Sequence, residues 1–234
     1  MRAESSRTTR RTTGSTGKRR QKGRTEEVLL EMRRQIAEHD LPPGTRLQEL
    51  ELAHEFNTSR SVVREVLGAL AQRGLVNRIP NRGAVVARLE PKEIYEIFDV
   101  REALEGLCTR QATLNAPPDT WTPYIELFGP TMKQAIDAGE VERYTDALED
   151  LRGEIMHWAD NTHAANFLDL VLDKARLIKR RVTLLPGRAA VGREMHLEML
   201  QRMAAGDASG AEEMKKEIIA SAREWLERYR HFIM

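Results

Sequence analysis

The sequence predicts a mainly α protein, an N-terminal winged helix-turn-helix followed by a C-terminal all-helical bundle. Three observations carry this prediction. A strongly amphipathic helix, running from Ser59 to Gln72, is followed by Gly74, two short apolar runs and a turn at Pro80-Asn81-Arg82-Gly83. A long helix then opens on Pro91, a residue suited to a helix's first turn. From Tyr124 onward helical stretches alternate with short breaks, some marked by glycine or proline, and no strand-like alternation appears.

The first convincing helix spans Thr25 to Glu38, with Val28, Leu29, Met32 and Ile36 on its apolar side. Leu41-Pro42-Pro43-Gly44 ends it, because proline cannot continue the amide ladder. Gln48 to Phe56 forms a second helix around Leu50, Leu52, Ala53 and Phe56, and Asn57-Thr58 is a tight joint into the third. That third helix places Val62, Val63, Val66, Leu67 and Leu70 on one face and Ser59, Arg60, Ser61 and Arg64 on the other. Thr58 or Ser59 can cap it. Arginine forks and hydroxyls at a helix N-terminus are the groups that grip phosphate and read base edges in a major groove. Leu75-Val76 and Ala84-Val85-Val86 are the expected strands of a hairpin with a basic tip at Arg82.

Composition bounds the alternatives. A chain of 234 residues accommodates two modest domains. The one cysteine, Cys108, excludes an internal disulfide and suits a reducing cytoplasm. No apolar run approaches the ~20 residues of a membrane span. The net charge of +1 hides an asymmetry, since residues 1–24 hold nine basic residues against Glu4 alone, leaving 28 basic and 35 acidic in the remainder. That basic, apolar-poor stretch is expected to be a disordered tail, either adding salt-sensitive attraction to DNA or acting as a solubilising extension. The expected domains are therefore the tail 1–24, the DNA-binding unit 25–89 and the helical unit 90–234.

Residues 41–76, L-P-P-G-T-R-L-Q-E-L-E-L-A-H-E-F-N-T-S-R-S-V-V-R-E-V-L-G-A-L-A-Q-R-G-L-V, followed by P-N-R-G-A-V-V, resemble the N-terminal domain of GntR-family bacterial transcription repressors. The resemblance implies DNA contact through Arg46, Ser59, Arg60, Ser61, Arg64, Arg82 and Gly83. Arg60, Arg64 and Arg82 also stand out by residue type and position alone. The helix after Pro91 carries V-R-E-A-L-E, and E-M-H-L-E-M-L-Q-R-M-A-A-G-D-A-S-G-A lies near the end. This order is similar to the FadR-type branch, with its FCD helical effector domain. It implies a homodimer on a near-palindromic operator and a small organic acid or acyl effector. The absence of a hydrophobic-tunnel signature favours a small polar acid.

Arg101 falls inside the apolar stripe of its helix, and a permanent charge facing a core needs a partner. Either Glu105, one turn away, supplies an internal salt bridge, or Arg101 receives the carboxylate or phosphate of an effector. Asp150, Glu154 and His157 share one helix face, with His196 arriving from a later helix. The family resemblance implies a divalent metal (Zn, Ni or Mn) held by an aspartate and three histidines, here Asp150, His157 and His196. The pattern departs in two places. Glu154 stands at the histidine position if Asp150 is the aspartate, or Gly153 replaces the aspartate if His157 matches, and Ile218 stands where the third histidine belongs.

Two rival functions remain. A metal-dependent enzyme would activate water on the same donors, but no nucleophile motif, phosphate loop or compact H-E-x-x-H pair accompanies them. An effector-free protein would use the helical domain for dimerisation only.

Overall fold

The computed structural model describes residues 14–80 and 82–233, without the side chains of 14–20, 176, 177, 179–181, 232 and 233. What the sequence suggests for residues 1–13, and for Asn81 in the wing turn, lies outside the described residues. The chain divides into two compact units after Ala87.

In the first unit α1 covers Gly14–Ala37, so the helix begins well before the expected start at Thr25. Residues 14–24, expected in a disordered tail, are helical. Residues 18–22 are lysine, arginine and glutamine, good helix formers that favour the helix without supplying an apolar face. Val28, Met32 and Ile36 anchor the helix by burial. Its middle is also tied down, as Arg24 donates to the Phe56 carbonyl and the Thr25 hydroxyl to Glu65 at 3.3 Å.

Helices α2 (Glu49–Glu55) and α3 (Arg60–Gln72) follow the expected order. Ser59 caps α3, its hydroxyl accepting from the Val62 amide at 3.3 Å. The buried stripe of α3 is the predicted one, Val62, Val63, Val66, Leu67 and Leu70. The helix closes in a Schellman arrangement: with Gly74 at φ 67°, its amide donates to Ala71 and that of Leu75 to Leu70. Leu75 is thereby used in the cap, which is why strand β2 (Val76–Ile79) starts one residue later than expected.

Strand β1 (Arg46–Leu47) was not legible in the sequence, being too short to show a period. With β3 (Gly83–Val86) it completes a three-stranded antiparallel sheet in the order β1-β3-β2. Arg46 pairs with Val85 and Leu47 with Ala84, while Ile79 pairs with Gly83.

The second unit is helical throughout its described residues. After α4 (Pro91–Asn115) and a 3₁₀ turn at Pro118–Trp121 come α5 (Thr122–Glu126) and α6 (Met132–Asp137). The expected single helix over 124–138 is broken by a wide turn at Leu127–Thr131, where Gly129 leaves helical geometry and Pro130 lacks an amide donor. Then come α7 (Val141–Ala159), α8 (Thr162–Thr183), α9 (Arg188–Ala204), α10 (Ala208–Arg228) and a short α11 (Arg230–Ile233). Trp121, Phe128, Leu168, Met199 and Leu200 are completely enclosed in its main core. Cys108 is buried there as well, as expected for a structural thiol. Among the described residues no helix is long and apolar enough to cross a membrane.

Gly83 sits at φ 89°, and a Cβ there would lie 2.1 Å from the Leu47 carbonyl oxygen. Gly83→Ala is therefore expected to destabilise the first unit by at least the ~1–3 kcal/mol that a strained backbone costs. Chemical denaturation of the full chain, followed as loss of that unit's transition, checks it.

Candidate nucleic-acid interface and ligand cavity

In the first unit the exposed face of α3 carries the expected polar set. Ser59 and Ser61 are exposed and their hydroxyls are 2.7 Å apart. Arg60 and Arg64 extend from the same face with side chains 62% and 57% exposed. Both reach back to Glu49 at the start of α2. Arg64 Nη2 lies 2.8 Å from its Oε2 and Arg60 Nη2 3.4 Å. Arg78 on β2 joins them, donating to the Arg64 carbonyl at 3.2 Å and standing 3.9 Å from Glu49.

Hydrogen bonding to Arg64, ahead of that to Arg60, outweighs partial burial and holds the Glu49 carboxyl below its ordinary pKa. The Arg64 guanidinium is raised in return. The arrangement is a set of arginines gathered at the N-terminal half of a helix by one carboxylate, with their outer donors facing solvent. Such donors suit phosphate oxygens and base edges.

Arg46 and Arg82 are also exposed, on β1 and in the wing turn. Gly83 is different. It is buried, and its described role is to let β1 and β3 approach. Sequence reasoning missed Glu49 and Arg78, since a carboxylate outside the recognition helix gives no local sign of whom it pairs with.

In the second unit a cavity of about 70 Å³ opens between α4, α7, α8, α9 and α10. That is several times the space one water needs, and suits a small molecule rather than a long chain. Its lining is mixed. Phe98, Leu148, Leu172 and Val182 supply apolar wall, while Arg101, Arg152, Arg188 and Lys215 are cationic against a single carboxylate, Glu105.

Arg101 does face this cavity, and it also makes the internal salt bridge that the spacing allows. Its Nε donates to Glu105 at 2.7 Å, and Lys215 holds the other carboxylate oxygen at 2.9 Å. Burial by itself would raise the Glu105 pKa, but Arg101 and then Lys215 outweigh it and hold the carboxyl well below its usual range.

His196 lines the same cavity, with Nδ1 2.7 Å from the Gly192 carbonyl and 3.2 Å from the Tyr144 hydroxyl. Nearby, Arg193 donates to the Phe128 carbonyl at 3.0 Å, satisfying backbone where the ladder breaks before Pro130.

The expected metal donors do not come together. Asp150 and His157 are exposed on α7, with His157 packed against the Trp158 ring, and Glu154 accepts from the Trp158 indole at 2.7 Å. His196 is buried with its Nδ1 engaged. Among the described residues no group of three or more His, Cys, Asp or Glu side chains is arranged to hold a metal. The donor set inferred from the resemblance therefore does not fit one, for Asp150 and His157 face solvent on α7 while His196 is buried on α9.

Sequence reasoning also passed over Arg188, Arg193 and Lys215. Arg188 and Arg193 are buried on α9, and the Lys215 side chain is only 11% exposed beside the buried Met214 and Ile218 of α10, the same anomaly that drew attention to Arg101. Periodicity applied to those helices would have found them.

Comparison with known proteins gives two family matches. Residues 96–221 match the FCD domain, and residues 24–86 match the bacterial regulatory proteins of the gntR family. An uncharacterized HTH-type transcriptional regulator of Agrobacterium vitis is 35% identical over 96 residues, which is 41% of this chain and 56% of that protein. Another, from an unstable DNA locus of Streptomyces ambofaciens, is 29% identical over 213 residues, covering 87% of this chain and 85% of its own. Among solved structures, McbR/YncC of E. coli superposes with a TM-score of 0.74 at 21% identity, over 88% of this chain and 98% of the other.

Removing the Glu105 carboxylate strands two cations whose side chains are each only 11% exposed. Glu105→Gln should cost about 3–5 kcal/mol, the usual cost of breaking a buried pair from one side. Because the folded-state pKa of Glu105 is depressed, its contribution is complete above the unfolded carboxylate pKa of ~4.3 and fades as pH falls below it. Wild type should lose stability on acidification through that range, and Glu105→Gln should lose less. Denaturant unfolding across a pH series checks both.

Proposed function

This chain belongs to the bacterial regulatory proteins of the gntR family that carry an FCD domain, and we propose that it is a homodimeric repressor whose operator affinity is set by a small organic acid. It is a DNA-binding transcriptional regulator with an effector domain. What carries the DNA-binding assignment to particular residues is the exposed pair Arg60 and Arg64, held by Glu49 on the open face of a capped helix.

In this reading α3 enters the major groove and the arginines exchange Glu49 for phosphate or base edges. Arg46 and Arg82 contact backbone beside it. Two copies of the helix occupy half-sites about one helical turn apart on a near-palindromic operator. An exposed apolar pair on α8, Phe167 and Leu170 at 59% and 49%, supports association between copies, since such side chains favour burial.

The cationic, partly apolar cavity is suited to a small acid. Its occupation would shift the balance between conformations that do and do not fit the operator. Coupling of this kind typically amounts to ~1–3 kcal/mol.

Arg60→Ala and Arg64→Ala are each expected to weaken operator binding by ~1–3 kcal/mol, with relaxed sequence preference where a base is read. Titration of labelled operator at fixed salt measures this, and unchanged affinity in both variants would overturn the assignment. Light scattering should return twice the 26.7 kDa chain mass, and Phe167→Asp with Leu170→Asp should return it once.

A further inference from the structure

We propose that the helical unit binds a small carboxylate directly on Arg188, without a metal ion, in a subsite formed with Tyr144, Gly192 and His196. The proposal rests on the effector reading above and names the anchor within it.

Arg188, Gly192 and His196 follow one another at single-turn intervals along α9, and Arg188 and His196 line one side of the cavity. Arg188 is only 6% exposed, and its Nη1 has no hydrogen-bond partner. Its Nη2 has a long contact, 3.4 Å, to the Ile218 carbonyl. A guanidinium stays charged at any physiological pH and presents five N–H donors. Buried without a counter-charge, it is an expensive group to keep.

The neighbouring cations are answered from within the protein. Glu105 takes both Arg101 and Lys215, and the Phe128 carbonyl and Glu194 take Arg193. Arg188 forms no such ion pair among the described residues. Burial lowers its pKa, with only Tyr144 opposing.

A Cβ added at Gly192 would lie 2.6 Å from the Tyr144 hydroxyl and 2.9 Å from Arg188 Nη1, so the glycine lets both groups pack close to α9 and to one another in the cavity wall. The short contact from His196 Nδ1 to the Gly192 carbonyl fixes the proton on Nδ1, because a carbonyl can only accept. Tyr144 then faces His196 as acceptor, and its own O–H proton is available to a guest. One charged and one neutral donor, converging in a partly apolar cavity, match a carboxylate.

The disagreement with the metal pattern has the same explanation. Ile218 stands at the position the resemblance reserves for a histidine, and its carbonyl is the one that receives Arg188. A permanent cation thus takes the place of an ion as the source of positive charge.

The test uses the full-length protein in EDTA, with acetate, pyruvate and malonate as probes in isothermal titration and thermal melting. At least one should bind and raise the melting temperature of wild type. Arg188→Gln should keep its helix content and melt no lower than wild type without anion, since an uncompensated charge has gone. It should lose at least tenfold in affinity for the probe, and Tyr144→Phe should lose less.

Equal binding by Arg188→Gln, or wild-type binding that appears only when a divalent metal is added, would overturn the proposal and leave the effector reading standing. If no probe binds with or without metal, and operator affinity ignores all three, both fall together.

Discussion

The helical unit depends on one buried carboxylate. Glu105 lies on the side of α4 that packs along α10, and it holds Arg101 of its own helix and Lys215 of the other. Removing three charges from water is costly, and the network persists because each is answered at close range. It fixes how α4 and α10 meet, and so where the cavity beside them opens. The neighbouring threonines on α4, Thr109 and Thr113, return their hydroxyls to backbone carbonyls one turn back and add no unanswered polar group.

The first unit uses the same device with the opposite outcome. Glu49 also gathers cations, but Arg60 and Arg64 remain more than half exposed. In water an ion pair of this kind contributes little to stability, so its value lies in posture: the guanidinium groups are held in place while remaining free to change partners. Glu105 and Arg101 are both enclosed, whereas Glu49 is partly buried beneath arginines whose own side chains stay in water.

Much of this was legible in advance. The stripe of α3, its Ser59 cap, the glycine stop and the proline start of α4 follow from local rules and are found where those rules place them, and the hairpin is found with its first strand one residue late. Failures occurred where a local rule was silent or competed with another. Residues 14–24 lack an apolar face and still continue α1. The stretch 124–138 keeps helical periodicity through Gly129-Pro130, and the missing amide wins. For the candidate sites, the spacing that puts Asp150, Glu154 and His157 on one face says nothing about which way that face turns.

The sequence alone thus determined the fold class, the order of elements and the arginines of the exposed helix, because these are written in spacings of three, four and two residues along the chain. Only the tertiary structure decided the partners. It matched Glu49 to arginines on α3 and β2, gave Arg101 both a salt bridge and a place in the cavity wall, turned Asp150 and His157 to solvent, and left Arg188 enclosed with an unpartnered donor. Pairing across helices distant in sequence depends on their packing in space, which no local period records.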